Sequence, residues 1–183
     1  MADRLRGRPN VLAEYPGFAE APADPAIRSL SDLYRAVFAG LPPVFDLVAQ
    51  SMGGVLALRA ALEQPERVRR LVLVATSGGV DVSRLGGVDW REGWRARQRT
   101  APPWFVDDRS DFTEQLGSVR APTLLVYGDA DPISPVAVGE FLRDRLPDAR
   151  LETIAGGTHD MTTENTDLVA SFIRAHLSDP VPA

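Results

Sequence analysis

The sequence contains no cysteine and no lysine, and only two histidines. Without cysteine there are no disulfides, no thiolate nucleophile and no thiolate metal site. Without lysine, Schiff-base and lysine-nucleophile chemistry are excluded. We read the all-arginine cation set as coding bias. Two histidines are too few for a histidine-rich metal centre. No apolar run approaches the length of a membrane span. The basic, polar start MADRLRGRPN is followed by no apolar core of a signal peptide, which points to the cytoplasm. Basic field is lacking too: the net charge is −5, so nucleic acid and anionic membranes are not expected partners. What remains for hydrolytic chemistry is serine, histidine and carboxylates.

The composition is that of an ordinary globular protein, with 44% hydrophobic and 25% charged residues. A chain of 183 residues suits one compact domain. Repeats and low-complexity tracts are absent. Residues 11–15 (VLAEY) read as a short strand stopped by Pro16 and Gly17. Residues 29–39 read as a helix, with Leu30, Leu33, Tyr34, Val37 and Phe38 at helical spacing. Buried strands are expected at 44–49, 68–75 and 123–127, and a weaker one at 151–155. Helices are expected at 52–63, about 135–146 and 164–177. Strands apolar on both faces that alternate with helices predict an α/β fold, a three-layer α/β/α arrangement around a mostly parallel sheet. Residues 78–119 break the rhythm and hold all three tryptophans, Trp90, Trp94 and Trp104. We read them as a small cap inserted into a single domain, 1–183.

Three motifs follow strands, at the sheet end where ligands collect in such folds. VAQSMGG places Ser51 between a strand and a helix, as in a nucleophile elbow. The turn is strained and needs small neighbours: Gly53 supplies one, and Ala49 stands where the usual pattern has glycine. The following helix would aim its dipole and free N–H groups at an oxyanion. A serine there also reads as a plain helix N-cap. YGDADPISP offers Asp129 and Asp131, either of which could orient an imidazole or close an Asx-turn. GGTHD carries His159 on a glycine-rich loop, and histidine is the side chain suited to base work near neutrality. His176 lies among Val169, Phe172 and Ile173 at helical spacing and reads as a packing or surface residue.

The order Ser, Asp, His, each after a strand, is that of the α/β-hydrolases. VAQSMGG, YGDADPISP and GGTHD resemble the elbow, acid loop and histidine loop of that superfamily, and EYPGF resembles the turn after its fourth strand. The resemblance implies Ser51 as nucleophile, His159 as base and the Met52 N–H as an oxyanion donor. It makes Asp131 the acid, because the family pattern G-x-x-D-x-x-x-P aligns with Gly128, Asp131 and Pro135. It implies no cofactor and no metal, and a small-molecule substrate.

The family's first three strands have no counterpart here, nor does the loop that supplies a second oxyanion N–H. Strand four would then pair directly with strand five, a partner chain would fill the gap, or an open edge would invite a second copy. Loss of one donor typically costs ~10²–10³ in turnover, so a slow enzyme is expected. The expected activity is ester or related acyl hydrolysis, with C–C cleavage and acyl transfer as variants. A binding module that has lost catalysis is the alternative. Trp90, Trp94 and Trp104, with Phe105 and Phe112, would line a pocket or form the cap's own core. Arg91, Arg95, Arg97 and Arg99 would meet an anionic substrate or form a solvated helix face.

Overall fold

The structure is a computed structural model that describes residues 2–5, 9–18, 20–97 and 102–178. Helix α1 (Leu30–Phe38) precedes strand β1 (Phe45–Gln50), which turns at Ser51 into α2 (Met52–Glu63). Strand β2 (Val68–Val74) follows. Next come the short helices α3 (Arg91–Arg97) and α4 (Trp104–Asp107), with 3₁₀ turns on either side. Strand β3 (Thr123–Gly128), α5 (Val136–Arg143) and β4 (Ala149–Ile154) continue the alternation, and α6 (Met161–Glu164) and α7 (Thr166–Ser178) close it.

The four strands form one parallel sheet in the order β1-β2-β3-β4. Successive side chains on a strand point to opposite faces, so both faces of a buried strand must be apolar. Leu71, Leu73, Leu125 and Tyr127 face the layer that holds α1, α2 and α5. Val72, Val74, Leu124 and Val126 face Val169 and Ile173 of α7. The predicted three-layer arrangement is therefore present. His176 lies in the second layer, 5% exposed, where its Nε2–H donates to the Pro122 carbonyl at 3.1 Å.

Residues 11–15 form no strand, contrary to the sequence reading. Val11 and Leu12 are 71% and 72% exposed. A strand needs a neighbour to take up its backbone groups, and among the described residues β1 is joined to β2 alone. The helix expected at 164–177 is α7, which begins at Thr166 after Asn165 caps the short α6.

Candidate active site

Ser51 lies in the tight turn from β1 into α2 with φ 51° and ψ −124°, in the left-handed half of backbone space that non-glycine residues avoid. The turn is held from the end of β2. The Ser51 N–H donates to the Val74 carbonyl at 3.1 Å, and the Thr76 hydroxyl donates to the Ser51 carbonyl at 2.5 Å. The Tyr127 hydroxyl in turn donates to the Thr76 carbonyl at 2.6 Å. Burial pushes the Tyr127 phenol well above its ordinary value. Thr76 comes so close that a Cβ on Gly54 would stand 2.3 Å from its hydroxyl oxygen, so only glycine fits there. A Cβ on Gly53 would lie 3.6 Å from the Ala49 methyl, ordinary contact, which shows how alanine is accommodated at 49.

The acid and histidine loops meet through another close approach. A Cβ on Gly128 would fall 2.0 Å from the Gly157 carbonyl oxygen, and that same carbonyl accepts the Ala130 N–H at 3.0 Å. Asp131 is 3% exposed. Its Oδ1 accepts the N–H groups of Ile133 and Ser134 at 2.8 and 3.1 Å. Its Oδ2 lies 2.9 Å from His159 Nδ1. A carboxylate can only accept here, so Nδ1 carries the proton and Nε2 is left as the acceptor. Nε2 lies 3.0 Å from Ser51 Oγ. Ser51, His159 and Asp131 thus form one continuous hydrogen-bonded chain. Asp129 is exposed and accepts the Gly156 N–H at 2.6 Å, away from the imidazole.

Met52 opens α2, so its N–H has no partner within the helix. Sequence reasoning missed Gln50 and Thr162, which hydrogen-bond above the turn. The only local signal was a polar residue ending an apolar strand.

The three tryptophans are partly buried. Trp90 and Trp94 pack against Phe105 at 5.1 and 4.8 Å between ring centroids. Phe18 touches Trp94, Trp104 and Phe105 at 6.3, 6.0 and 5.3 Å. Phe112 lies against the main core instead. Val88 N–H donates to the Pro132 carbonyl at 2.8 Å, which seats this insert beside the acid loop. Arg91 and Arg95 pair with Asp89 and Asp107. The Arg97 side chain and all of Arg99 lie outside the described residues. A cleft of about 520 Å³ between the insert and α5, lined by Asp81, Arg84, Phe141 and Arg145 among others, shares no residue with the Ser51 site. No helix among the described residues is long and apolar enough to cross a membrane, and none of their acidic, histidine or cysteine side chains cluster as a metal site.

The sequence matches a family model described as alpha/beta hydrolase fold over residues 39–112. It matches a second, TAP-like protein, over residues 91–182, half of the chain. It is 30% identical to polyketide synthase ThaQ of Burkholderia thailandensis over 94% of this chain, which spans only 11% of that much longer protein. It is 26% identical to the pimeloyl-[acyl-carrier protein] methyl ester esterase of Nitrosomonas europaea, over 72% of this chain and 70% of that one. Among solved structures, a hydrolase from Pseudomonas aeruginosa superposes with a TM-score of 0.72 at 18% identity, covering 91% of this chain and 78% of that one.

Proposed function

Because the chain belongs to the α/β-hydrolase fold superfamily, we propose that it is a serine hydrolase that cleaves a carboxylic ester or related acyl compound through an acyl-enzyme. The single observation that carries this reading is the unbroken chain from Asp131 through His159 to Ser51.

Ser51 Oγ attacks the substrate carbonyl carbon while its proton passes to His159 Nε2. The negative charge that develops on the carbonyl oxygen is met by the Met52 N–H at the start of α2. As the tetrahedral intermediate collapses, His159 gives its proton to the leaving alkoxide, and the acyl group stays on Ser51. Water then attacks the acyl carbon and gives its proton to Nε2. The carboxylic acid departs and the proton returns to Ser51 Oγ. Asp131 holds the Nδ1–H tautomer and stabilises the imidazolium throughout.

We take residues 78–119 as a cap on a single domain. Trp90, Trp94 and Phe105 pack on one another, with Phe18 against Trp94 and Phe105, which supports a cap with its own small core; Trp104 packs on Phe18 and on the main core. Their open faces would offer an apolar wall to an acyl chain. The methyl ester esterase among the relatives makes methyl and p-nitrophenyl esters of simple acyl chains the first substrates to try. One observation favours the second reading, a binding module on the same fold. The outer edge of β1 has no strand partner among the described residues, and such an edge is a ready surface for association.

The test is incubation with a fluorophosphonate probe followed by intact mass, with Ser51→Ala as the control. A single adduct that disappears in the variant is expected. A folded chain that takes no adduct would sink the catalytic reading and favour the binding module.

A further inference from the structure

Gln50 is the last residue of β1, directly before the Ser51 turn. Its side-chain Nε2–H donates to the backbone carbonyl of His159 at 2.8 Å. Its Oε1 accepts the hydroxyl of Thr162, in the first turn of α6, at 2.5 Å. The sheet order makes these two bonds consequential. Ser51 follows β1 and His159 follows β4, at opposite ends of the sheet. Neighbouring strands lie about 4.8 Å apart, so the two strand ends are separated by about 14 Å. The histidine loop must therefore reach across the ends of β3 and β2.

Over β3 the loop is anchored by the Ala130 N–H on the Gly157 carbonyl and by Asp131 on the imidazole. Over β1, among the described residues, three hydrogen bonds hold it: His159 Nε2 with Ser51 Oγ, and the two made by Gln50. The first of these does not survive turnover. Once Ser51 is acylated it has no O–H to donate, yet His159 must stay in place to activate water. In the acyl-enzyme the two Gln50 bonds remain on the β1 side, beside the Asp131 bond to the imidazole on the β3 side.

We propose that Gln50 is a positioning residue for the general base, acting chiefly in deacylation; this rests on the triad reading above. A primary amide fits the task because it must donate to one carbonyl and accept from one hydroxyl. It also brings no charge beside the imidazolium. A carboxylate of the same shape would lose the donor and set an anionic oxygen against the His159 carbonyl.

The experiment is stopped-flow hydrolysis of a p-nitrophenyl ester by the wild type, Gln50→Ala and Thr162→Val, with active sites counted by fluorophosphonate labelling. Misplacing a catalytic group by about 1 Å can cost about 100-fold. In Gln50→Ala, deacylation is expected to fall by about 10-fold to 100-fold, with a much smaller fall in acylation. The result is a larger p-nitrophenolate burst, with kcat and KM falling together. Thr162→Val, which removes one bond only, moves the same way by less and gives the answer should Gln50→Ala fail to fold. Equal slowing of both steps, or unchanged rates per active site with only a lower melting temperature, would overturn the proposal while leaving the triad standing. A wild-type chain that takes no label at Ser51 overturns the triad reading and this proposal with it.

Discussion

Asp129 and Asp131 stand two residues apart on one loop and are separated by their surroundings. Asp131 is buried, and two main-chain N–H groups hold its Oδ1, which leaves Oδ2 for His159. Asp129 spends an exposed oxygen on the Gly156 N–H, where it shapes a turn. The Asp131→Asn variant should keep the fold and lower turnover by about 10⁴-fold, because an amide can offer an N–H to Nδ1 and so hold the wrong tautomer. Asp129→Asn should leave turnover close to wild type. Steady-state ester hydrolysis by both variants decides the matter, and equal losses would undo the division of roles.

At the scale of elements, α1 shows how its start is coded. Ser29 is its N-cap, and its hydroxyl oxygen accepts the Asp32 N–H at 3.1 Å. Asp32 reciprocates: its Oδ2 accepts the Arg28 N–H at 3.1 Å and the Ser29 hydroxyl at 2.8 Å. The exchange resembles a capping box with aspartate in the third place, its return bond falling on the residue before the cap. The Ser29 hydroxyl first, then the Arg28 N–H and the Arg35 side chain, hold the Asp32 carboxyl below its ordinary value. A group whose folded value is depressed contributes stability at neutral pH, and loses it as pH falls through the folded value. Ser29→Ala is expected to cost about 1 kcal/mol at neutral pH. Its cost should shrink on the acid side, where wild-type Asp32 is itself protonated. Urea unfolding at the two acidities measures this. A cost that does not change with pH would break the proposed link between cap and carboxyl.

For the whole molecule, Phe18 joins segments that are far apart in the chain. It touches Tyr15 at 6.2 Å as well as Trp94, Trp104 and Phe105. The Trp104 Nε1–H donates to the Ile27 carbonyl at 3.2 Å, a second tie between the same regions. Residues 15–18 are thus held by aromatic packing and not by a sheet. Phe18→Ala should cost about 1–3 kcal/mol, less than a fully buried phenylalanine because the ring is only partly covered. Tryptophan emission should shift to the red as Trp94 and Trp104 gain water. An unchanged spectrum and melting temperature would show that the contact does not hold the segment.

Much of this was determined by the sequence alone. Much of the alternation of strand and helix from residue 45 onward is local: short apolar runs bounded by turn residues and set between helical patterns read as buried strands. The strand-to-helix placement of Ser51 was equally local, since Gly53 and Gly54 announce the close packing that the turn requires. Tertiary structure decided the rest. Residues 11–15 have the composition of a strand, but a strand exists only where a neighbour takes its hydrogen bonds, and composition does not reveal the neighbour. The choice between Asp129 and Asp131 depended on which carboxylate is turned inward against the imidazole. The bond between Gln50 and Thr162 spans 112 residues of chain, and it forms only because the loop after β4 reaches across the strand ends to the end of β1.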